Sequence, residues 1–331
     1  MKKPFRLACL VFLLPAAAAC APRPLAAGPG LIRAEPLGSA QAPLPERLGR
    51  LELDGAWVLS GSEASFGGIS AARWDGDRLL LLSDRSRLFV LGWPAHARAR
   101  PFTAPVLEER ALADRHGRPL DAEALVLLPG DTRLVADEGQ ERLWRFAPGR
   151  EKPEGAGRPL PELALSDASG NEGVEALARL PGGDLLAIRE ATSDDGLHPA
   201  VRLEERTAQR LRYRAAEGFR PTDADAAGSH LFVLERRVSL LSGWQARIVA
   251  VPLATLPHDP AGIVTGQELA VLSGPQLGEN YEALAVRKEG DAYRLLVAAD
   301  DNFNPLQRTL LLELRWRPDR GETEPPDPSV R

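Results

Sequence analysis

Five times along the chain a short acidic or glycine-rich cluster opens an apolar run, and a second acidic cluster closes the apolar run that follows. The openings are Gly67-Gly68-Ile69-Ser70-Ala71, Asp121-Ala122-Glu123-Ala124-Leu125, Glu172-Gly173-Val174-Glu175-Ala176-Leu177, Thr222-Asp223-Ala224-Asp225 and Asn280-Tyr281-Glu282-Ala283-Leu284. The closings are Ser83-Asp84-Arg85, Asp137-Glu138, Arg189-Glu190, Glu235-Arg236 and Asp300-Asp301. The openings recur roughly every 50 residues, the period of a propeller blade or another repeat array. A repeat of this kind restricts the chain to architectures in which one supersecondary unit is copied around an axis or along a stack.

Between the clusters nearly every apolar run is short and bounded by Gly, Pro, Asp or Asn, which is the signature of strands. The runs sort into sets of four: Ile69–Trp74, Leu79–Ser83, Leu88–Leu91 and Val106–Glu109; Ala124–Leu128, Arg133–Ala136, Leu143–Phe146 and Glu162–Leu165; Glu175–Leu180, Leu185–Ile188, Val201–Glu204 and Arg210–Arg214; Thr222–Ala226, Leu231–Leu234, Arg247–Val251 and Glu268–Leu272. A fifth set, Ala283–Arg287, Tyr293–Ala298 and Thr309–Arg315, lacks one strand, and Arg50–Leu59 alternates well enough to supply it. The expected fold is all-β: a single β-propeller of four-stranded blades, five favoured and six possible, closed by an N-terminal strand that removes exposed edges. Asp75-Gly76-Asp77, Pro181-Gly182-Gly183-Asp184, Ala227-Gly228-Ser229 and Glu289-Gly290-Asp291 lie between first and second strands and read as hairpin turns.

The ends of the chain read differently. Lys2, Lys3 and Arg6 precede an apolar stretch, Leu7 to Leu14, too short to span a bilayer, so residues 1–19 read as a secretory signal. Small residues directly before Cys20 resemble a bacterial lipobox, with Ala17 where Leu is usual, and make Cys20 the expected lipidation site; the alternative is ordinary cleavage near Ala19. Loss of residues 1–19 also removes Cys9, which leaves one Cys and no internal disulfide. Residues 20–47 read as lipid attachment and a flexible tether, 48–316 as the propeller, and 317–331 as a disordered tail. The expected setting is the bacterial envelope on the periplasmic side, as an outer-membrane lipoprotein and a monomer. With a net charge of −5, no basic run and three Tyr, nucleic-acid binding is not expected.

In a propeller the first strand of each blade lines the central channel and the second runs antiparallel to it. Opening and closing clusters therefore share one mouth of the channel. Gly68 to Asp84, Glu123 to Glu138 and Glu175 to Glu190 are each 15 or 16 residues apart, which fits a hairpin. Carboxylates so crowded repel by about 4 kcal/mol for a pair 4 Å apart at an effective dielectric near 20. They must hold protons, pair with arginine or bind a cation. Arg85, Arg189, Arg236, Arg237 and Arg308 adjoin the closings, so a structural ring of ion pairs competes with an oxygen-ligated divalent cation, for which Ca²⁺ is the expected choice. Zinc is disfavoured, because no CxxC or HExxH is present and the five His lie scattered in turns or connections, where they read as surface residues. Ser70 faces the mouth as a hydroxyl ligand or a small filler, and no nucleophile elbow is present.

The segments Phe66–Ala71 (FGGISA), Leu82–Ser86 (LSDRS), Asp121–Leu125 (DAEAL), Asn171–Ala178 (NEGVEALA), Pro221–Ala224 (PTDA), Leu234–Arg237 (LERR), Asn280–Val286 (NYEALAV) and Asp300–Glu313 (DDNFNPLQRTLLLE) together resemble the bacterial "esterase-like activity of phytase" family, over about residues 50–316. The resemblance implies a propeller-like, secreted or envelope-attached protein and hydrolysis of a phosphoester or ester. It does not extend to the aspartate-rich motifs of alkaline propeller phytases. In a metal-dependent hydrolase Glu123, Glu175, Glu282 and Asp300 are the candidate ligands, Glu190 the candidate base, and Arg85 or Arg236 the stabilisers of developing charge. The substrate is then a small ester or phosphoester. Two alternatives stand beside this. One is a non-catalytic lipid-tethered propeller with a structural acidic ring. The other is a lactonase-like site using Glu175, Asn280 and Asp300.

Overall fold

The computed structural model describes residues 30–39, 41–62, 65–94, 100–163, 173–204 and 207–318. The expected leader and Cys20 lie outside them, as does most of the tail expected at 317–331. No helix among the described residues is long and apolar enough to cross a membrane.

The fold is an antiparallel β-propeller. Its first strands are Ile69–Asp75, Ala122–Leu128, Val174–Arg179, Arg220–Ala227 and Tyr281–Glu289, and each packs on the next, the last returning to the first. Their hairpin partners are Arg78–Ser83, Thr132–Asp137, Leu185–Arg189, His230–Ser239 and Ala292–Ala299. Outward from these lie the third and fourth strands.

The core explains why the inner strands are uninterrupted apolar runs rather than alternating ones. Each blade is covered on both faces by its neighbours, so side chains of either parity are buried. In the run Leu79–Leu82, Leu79 and Leu81 pack toward the last blade, while Leu80 and Leu82 pack toward the second. Five apolar clusters result, each between two adjacent blades.

Closure occurs where the sequence places it. Leu51–Gly61 pairs antiparallel with Leu310–Trp316, in the register Leu310↔Val58 and Leu312↔Ala56, and supplies the missing fourth strand. Beyond it the structure departs from expectation. Leu31–Pro36, expected within the flexible tether, is a strand. It pairs with Leu51–Gly61 on one side (Ile32↔Gly61) and Phe102–Ala111 on the other (Ile32↔Ala104), so the first and last blades share one ten-stranded sheet. The outer edges of those two blades are thereby hydrogen-bonded rather than open.

Two further expectations are corrected. Where a fourth strand is expected at Glu162–Leu165, the described part belongs to a 3₁₀ turn, Pro161–Leu163, residues 164 and 165 lie outside the described residues, and the two-residue strand Arg158–Pro159 takes the fourth place. His198 and His230, expected at the surface, are buried within strands, where His198 Nδ1 lies 3.2 Å from Arg189 O and His230 Nδ1 lies 3.0 Å from the Tyr293 hydroxyl.

Candidate functional site

Every inner hairpin carries a one-residue register shift at the same place. The ladder jumps from Ile69 to Ala71, Ala122 to Ala124, Val174 to Ala176, Pro221 to Asp223 and Tyr281 to Ala283. The skipped residues are Ser70, Glu123, Glu175, Thr222 and Glu282. A β-bulge sets one residue outside the alternation of its strand and re-aims its side chain. Two of the five are hydroxyls that tie blades together: Ser70 Oγ donates to Ala122 O (2.6 Å) and Thr222 Oγ1 to Tyr281 O (3.2 Å), each on the next blade. This answers the sequence question about Ser70, whose hydroxyl is engaged by backbone. The other three are the glutamates expected as metal ligands.

The three glutamates sense one another. Burial first, then the charges of Glu282, Asp121, Glu138 and Asp84, hold the Glu123 carboxyl well above the usual carboxylate range. Glu175 is pushed well up by burial and by Glu190, Glu282 and Glu123, against the pull of Arg236. Burial likewise raises Glu282, opposed by Arg236 and by hydrogen bonds from Asn280 and Asp300. Asp300 is raised to about 8 by burial and by Glu282. All four lie at one mouth of the channel, Glu123, Glu175 and Glu282 partly exposed and Asp300 buried.

They do not form a single tight set. Glu123 groups with Asp121 and Glu138, whose carboxylate oxygens lie within 4.8 Å of one another. Among the described residues no arginine or lysine is paired with Asp121 or Glu123. Asp121 stood in an opening motif but was not singled out from sequence, and Glu138 was counted among the mouth acids but not among the ligands. Glu282 belongs to a second group: Arg236 Nη1 donates to Glu282 Oε1 and to Asn280 Oδ1 (2.6 Å), Asn280 Nδ2 donates to Glu282 Oε1 (2.9 Å), and Arg236 Nη2 donates to Glu190 Oε1 (3.1 Å). Arg220 reaches the other oxygen of Glu190 at 3.6 Å. Arg85, exposed at the rim, stacks on Phe303 with its guanidinium 3.4 Å from the ring centre.

Several closing acids are occupied by backbone. Asp301 Oδ1 accepts from Gly68 N (2.9 Å) and Glu138 Oε1 from Gly173 N (2.9 Å), each bond linking one blade to the next. Gly68 has φ +61° and a Cβ there would lie 2.3 Å from Asp84 Oδ1, so glycine is required for the chain to pass this carboxylate. Glu235 lies away from the mouth chemistry, accepting from the Tyr213 hydroxyl (2.5 Å) and Arg247 (2.8 Å).

The floor of the funnel is a feature missed from sequence. Arg73 projects into the channel and is buried. Its two terminal nitrogens donate to both oxygens of Asp223 (2.9 Å each), to Leu177 O (2.6 Å), Ala224 O (2.7 Å) and Leu284 O (2.8 Å). Asp223 and Asp225, expected at the mouth, line the channel below it and accept from Leu284 N and Val286 N (2.7 Å each). One arginine thus bonds three other inner strands, two residues beyond the bulges of each. The signal was available as an isolated Arg in ISAARWD and two alternating Asp in PTDADA, both inside otherwise apolar inner strands.

No curated relative matches the sequence. Solved structures that resemble the chain include a putative gluconolactonase (13% identity, 87% of this chain and 89% of that one, TM-score 0.42), glutaminyl cyclase of Myxococcus xanthus (13%, 81% and 97%, 0.42) and virginiamycin B lyase of Staphylococcus aureus (9%, 70% and 80%, 0.36). A family profile described as "Phytase-like: Esterase-like activity of phytase" matches residues 64–303, which include every bulge, the Arg236 group and the Arg73 floor. The chain belongs to this phytase-like family.

Proposed function

We propose that the mouth is a cation-dependent hydrolytic site for a small phosphoester or carboxylic ester. The observation that carries this reading is the Asp121–Glu123–Glu138 group: three carboxylates within 4.8 Å, of which Asp121 and Glu123 have no cationic partner among the described residues. Donors that are all hard oxygens, without His or Cys, fit Ca²⁺, which tolerates irregular oxygen geometry. Asp121, Glu123 and Glu138 would hold it, a revision of the expected set, with Glu175, Glu282 and Asp300 lining the same funnel. A bound divalent cation polarises a phosphoryl or carbonyl oxygen and lowers the pKa of water.

The chain's own residues divide the remaining work. Glu190, held by Arg236, takes the role of base, and Glu175 beside it, whose carboxyl burial and the Glu190 charge push up, takes the role of acid. Arg236, fixed by Glu282 and Asn280, faces the developing negative charge, and Arg85 at the rim orients the incoming anion. The Arg73 plug closes the channel below, so substrate enters and leaves by the mouth.

The test is turnover of aryl phosphates and aryl esters by the full chain with and without Ca²⁺, beside the metal content of wild type and an Asp121→Asn/Glu123→Gln variant. Hydrolysis that requires Ca²⁺ and is lost in the variant is the expected result. Absence of turnover under every metal condition removes the reading. A second reading rests on Arg236, whose three polar partners, Glu190, Asn280 and Glu282, are what a purely structural ring would show. In that case the protein is a non-catalytic envelope module, and Glu282→Gln lowers its stability while metal content stays near zero throughout. In both readings we place the protein in the bacterial envelope, tethered through Cys20.

A further inference from the structure

Among the described residues, the hairpin between the second and third strands of the fourth blade is the longest paired extension on the mouth face. His230–Ser239 and Gly243–Pro252 stay paired from His230↔Pro252 to Ser239↔Gly243. Arg236 marks the level of the mouth, so the turn at Leu240 and Leu241 stands about 13 Å above it, four residues at the rise of a strand. The turn closes on Gly243 in the left-handed conformation, as such turns ordinarily do. Here both leucines are fully exposed, and Val238 is 62% exposed. On the neighbouring blade the loop between Ala299 and Leu310 also rises from the mouth face and carries Leu306, 90% exposed. Single exposed leucines are ordinary, but three on adjacent prongs of one face are an interaction surface.

Charge identifies the partner. In a chain of net charge −5, residues 236–247 contain Arg236, Arg237 and Arg247 and no acid, and residues 302–308 contain Arg308 and no acid. Arg236, Arg247 and Arg308 are paired with carboxylates, but Arg237 meets Gln245, a backbone carbonyl and the Phe219 ring, and Arg85 beside the second prong meets the Phe303 ring. Apolar tips flanked by arginine suit a bilayer with anionic headgroups, where leucine enters the acyl boundary and arginine stays at the phosphates. The length of chain before the first described residue agrees. Gly30 lies ten residues after Cys20, a reach of at most about 35 Å, so a lipid on Cys20 keeps the propeller beside the membrane.

We propose that Leu240, Leu241 and Leu306 dock the propeller on an anionic phospholipid surface, with the mouth facing the bilayer. The orientation stands apart from whether the mouth hydrolyses anything, and its test reads position rather than turnover. The full chain, with Cys9→Ser and Cys20→Ser, carries one environment-sensitive label at Leu241→Cys, Leu306→Cys or, on the opposite face, Asp77→Cys. It is mixed with phosphatidylglycerol vesicles containing brominated acyl chains. Quenching at positions 241 and 306 is expected to exceed that at 77 at least threefold. Leu240→Ser with Leu241→Ser is expected to raise the lipid concentration for half-maximal quenching at 306 at least tenfold, without moving the melting temperature. Phosphatidylcholine vesicles are expected to bind at least fivefold more weakly. Equal quenching on both faces, an unchanged response in the double serine variant, or equal affinity for neutral vesicles overturns the proposal. So does a dimer in solution that the double serine variant abolishes.

Discussion

Arg73 and Asp223 stand 150 residues apart in the chain and form a two-pronged ion pair inside the channel, 2.9 Å at each prong. The pair joins the first blade to the fourth, across the axis rather than around it. Three further carbonyl bonds tie Arg73 to the inner strands of the third, fourth and fifth blades together.

Breaking that hub leaves a buried carboxylate with no counter-charge. Arg73→Met is expected to destabilise the fold by about 3–5 kcal/mol, the range for removing one member of a buried pair. Arg73→Lys should retain the charge but lose the fork, since an ammonium offers three donors and cannot match Asp223 in two prongs. Adding Asp223→Asn to Arg73→Met should recover part of the loss. Urea unfolding of wild type, Arg73→Met, Asp223→Asn and the double variant gives the coupling directly, and independent, additive effects would contradict the hub.

Gly68 is the second sensitive point. Gly68→Ala places a Cβ 2.3 Å from Asp84 Oδ1 in a left-handed backbone, and threatens the bond from Gly68 N to Asp301. A cost of about 1–3 kcal/mol is expected from the strained conformation. Because Asp301 and Phe303 anchor the loop under Arg85, Ca²⁺-dependent turnover of an aryl phosphate should also fall, chiefly through KM.

The pH dependence follows from Asp300. Its carboxyl is raised to about 8 in the folded protein by burial and by Glu282, against an ordinary value of 3.8. Between those values the folded state holds a proton that the unfolded state has released, so stability falls as pH rises. The contribution is complete below 3.8 and gone above about 8. Metal-free protein should therefore lose melting temperature between about pH 4 and 8, and Asp300→Asn should flatten that slope. Ca²⁺ binding should release protons, read by calorimetry in buffers of different ionisation enthalpy, and should tighten across the same interval.

The two acidic groups should separate by mutation. Glu123→Gln is expected to weaken Ca²⁺ binding at least tenfold while raising the metal-free melting temperature, since it removes a carboxyl that burial and four neighbouring acids disfavour. Glu282→Gln removes a partner of Arg236 and should lower that temperature instead. Differential scanning calorimetry with and without Ca²⁺ distinguishes them; the same sign for both variants would mean that the mouth acts as a single cluster.

The fold was largely legible because its causes are local or periodic. Short apolar runs between turn residues become strands wherever both faces are covered, and a strand missing from one end of the chain is sought at the other. Leu31–Pro36 escaped notice because a strand of six residues next to Pro- and Gly-rich sequence has no signal apart from the two edges it fills. The acids were legible as a set but not by role. Asp121, Glu123, Glu138, Asp223, Glu235, Glu282 and Asp301 are alike in sequence, and a carboxylate becomes ligand, ion-pair partner or backbone acceptor according to what lies opposite it on another blade.

The repeat that marks the sequence thus determined by itself the strand type, the copied hairpin and the gathering of acids toward one end of the axis, since these depend on residues within about 50 positions. Tertiary structure alone decided which acids meet Arg236, which meet Arg73, which meet main-chain amides and which face only one another. The contacts to Arg236, to Arg73 and to the amides of a neighbouring blade span 35 to 233 residues of chain, and the bulge that aims each glutamate exists only once two strands have paired.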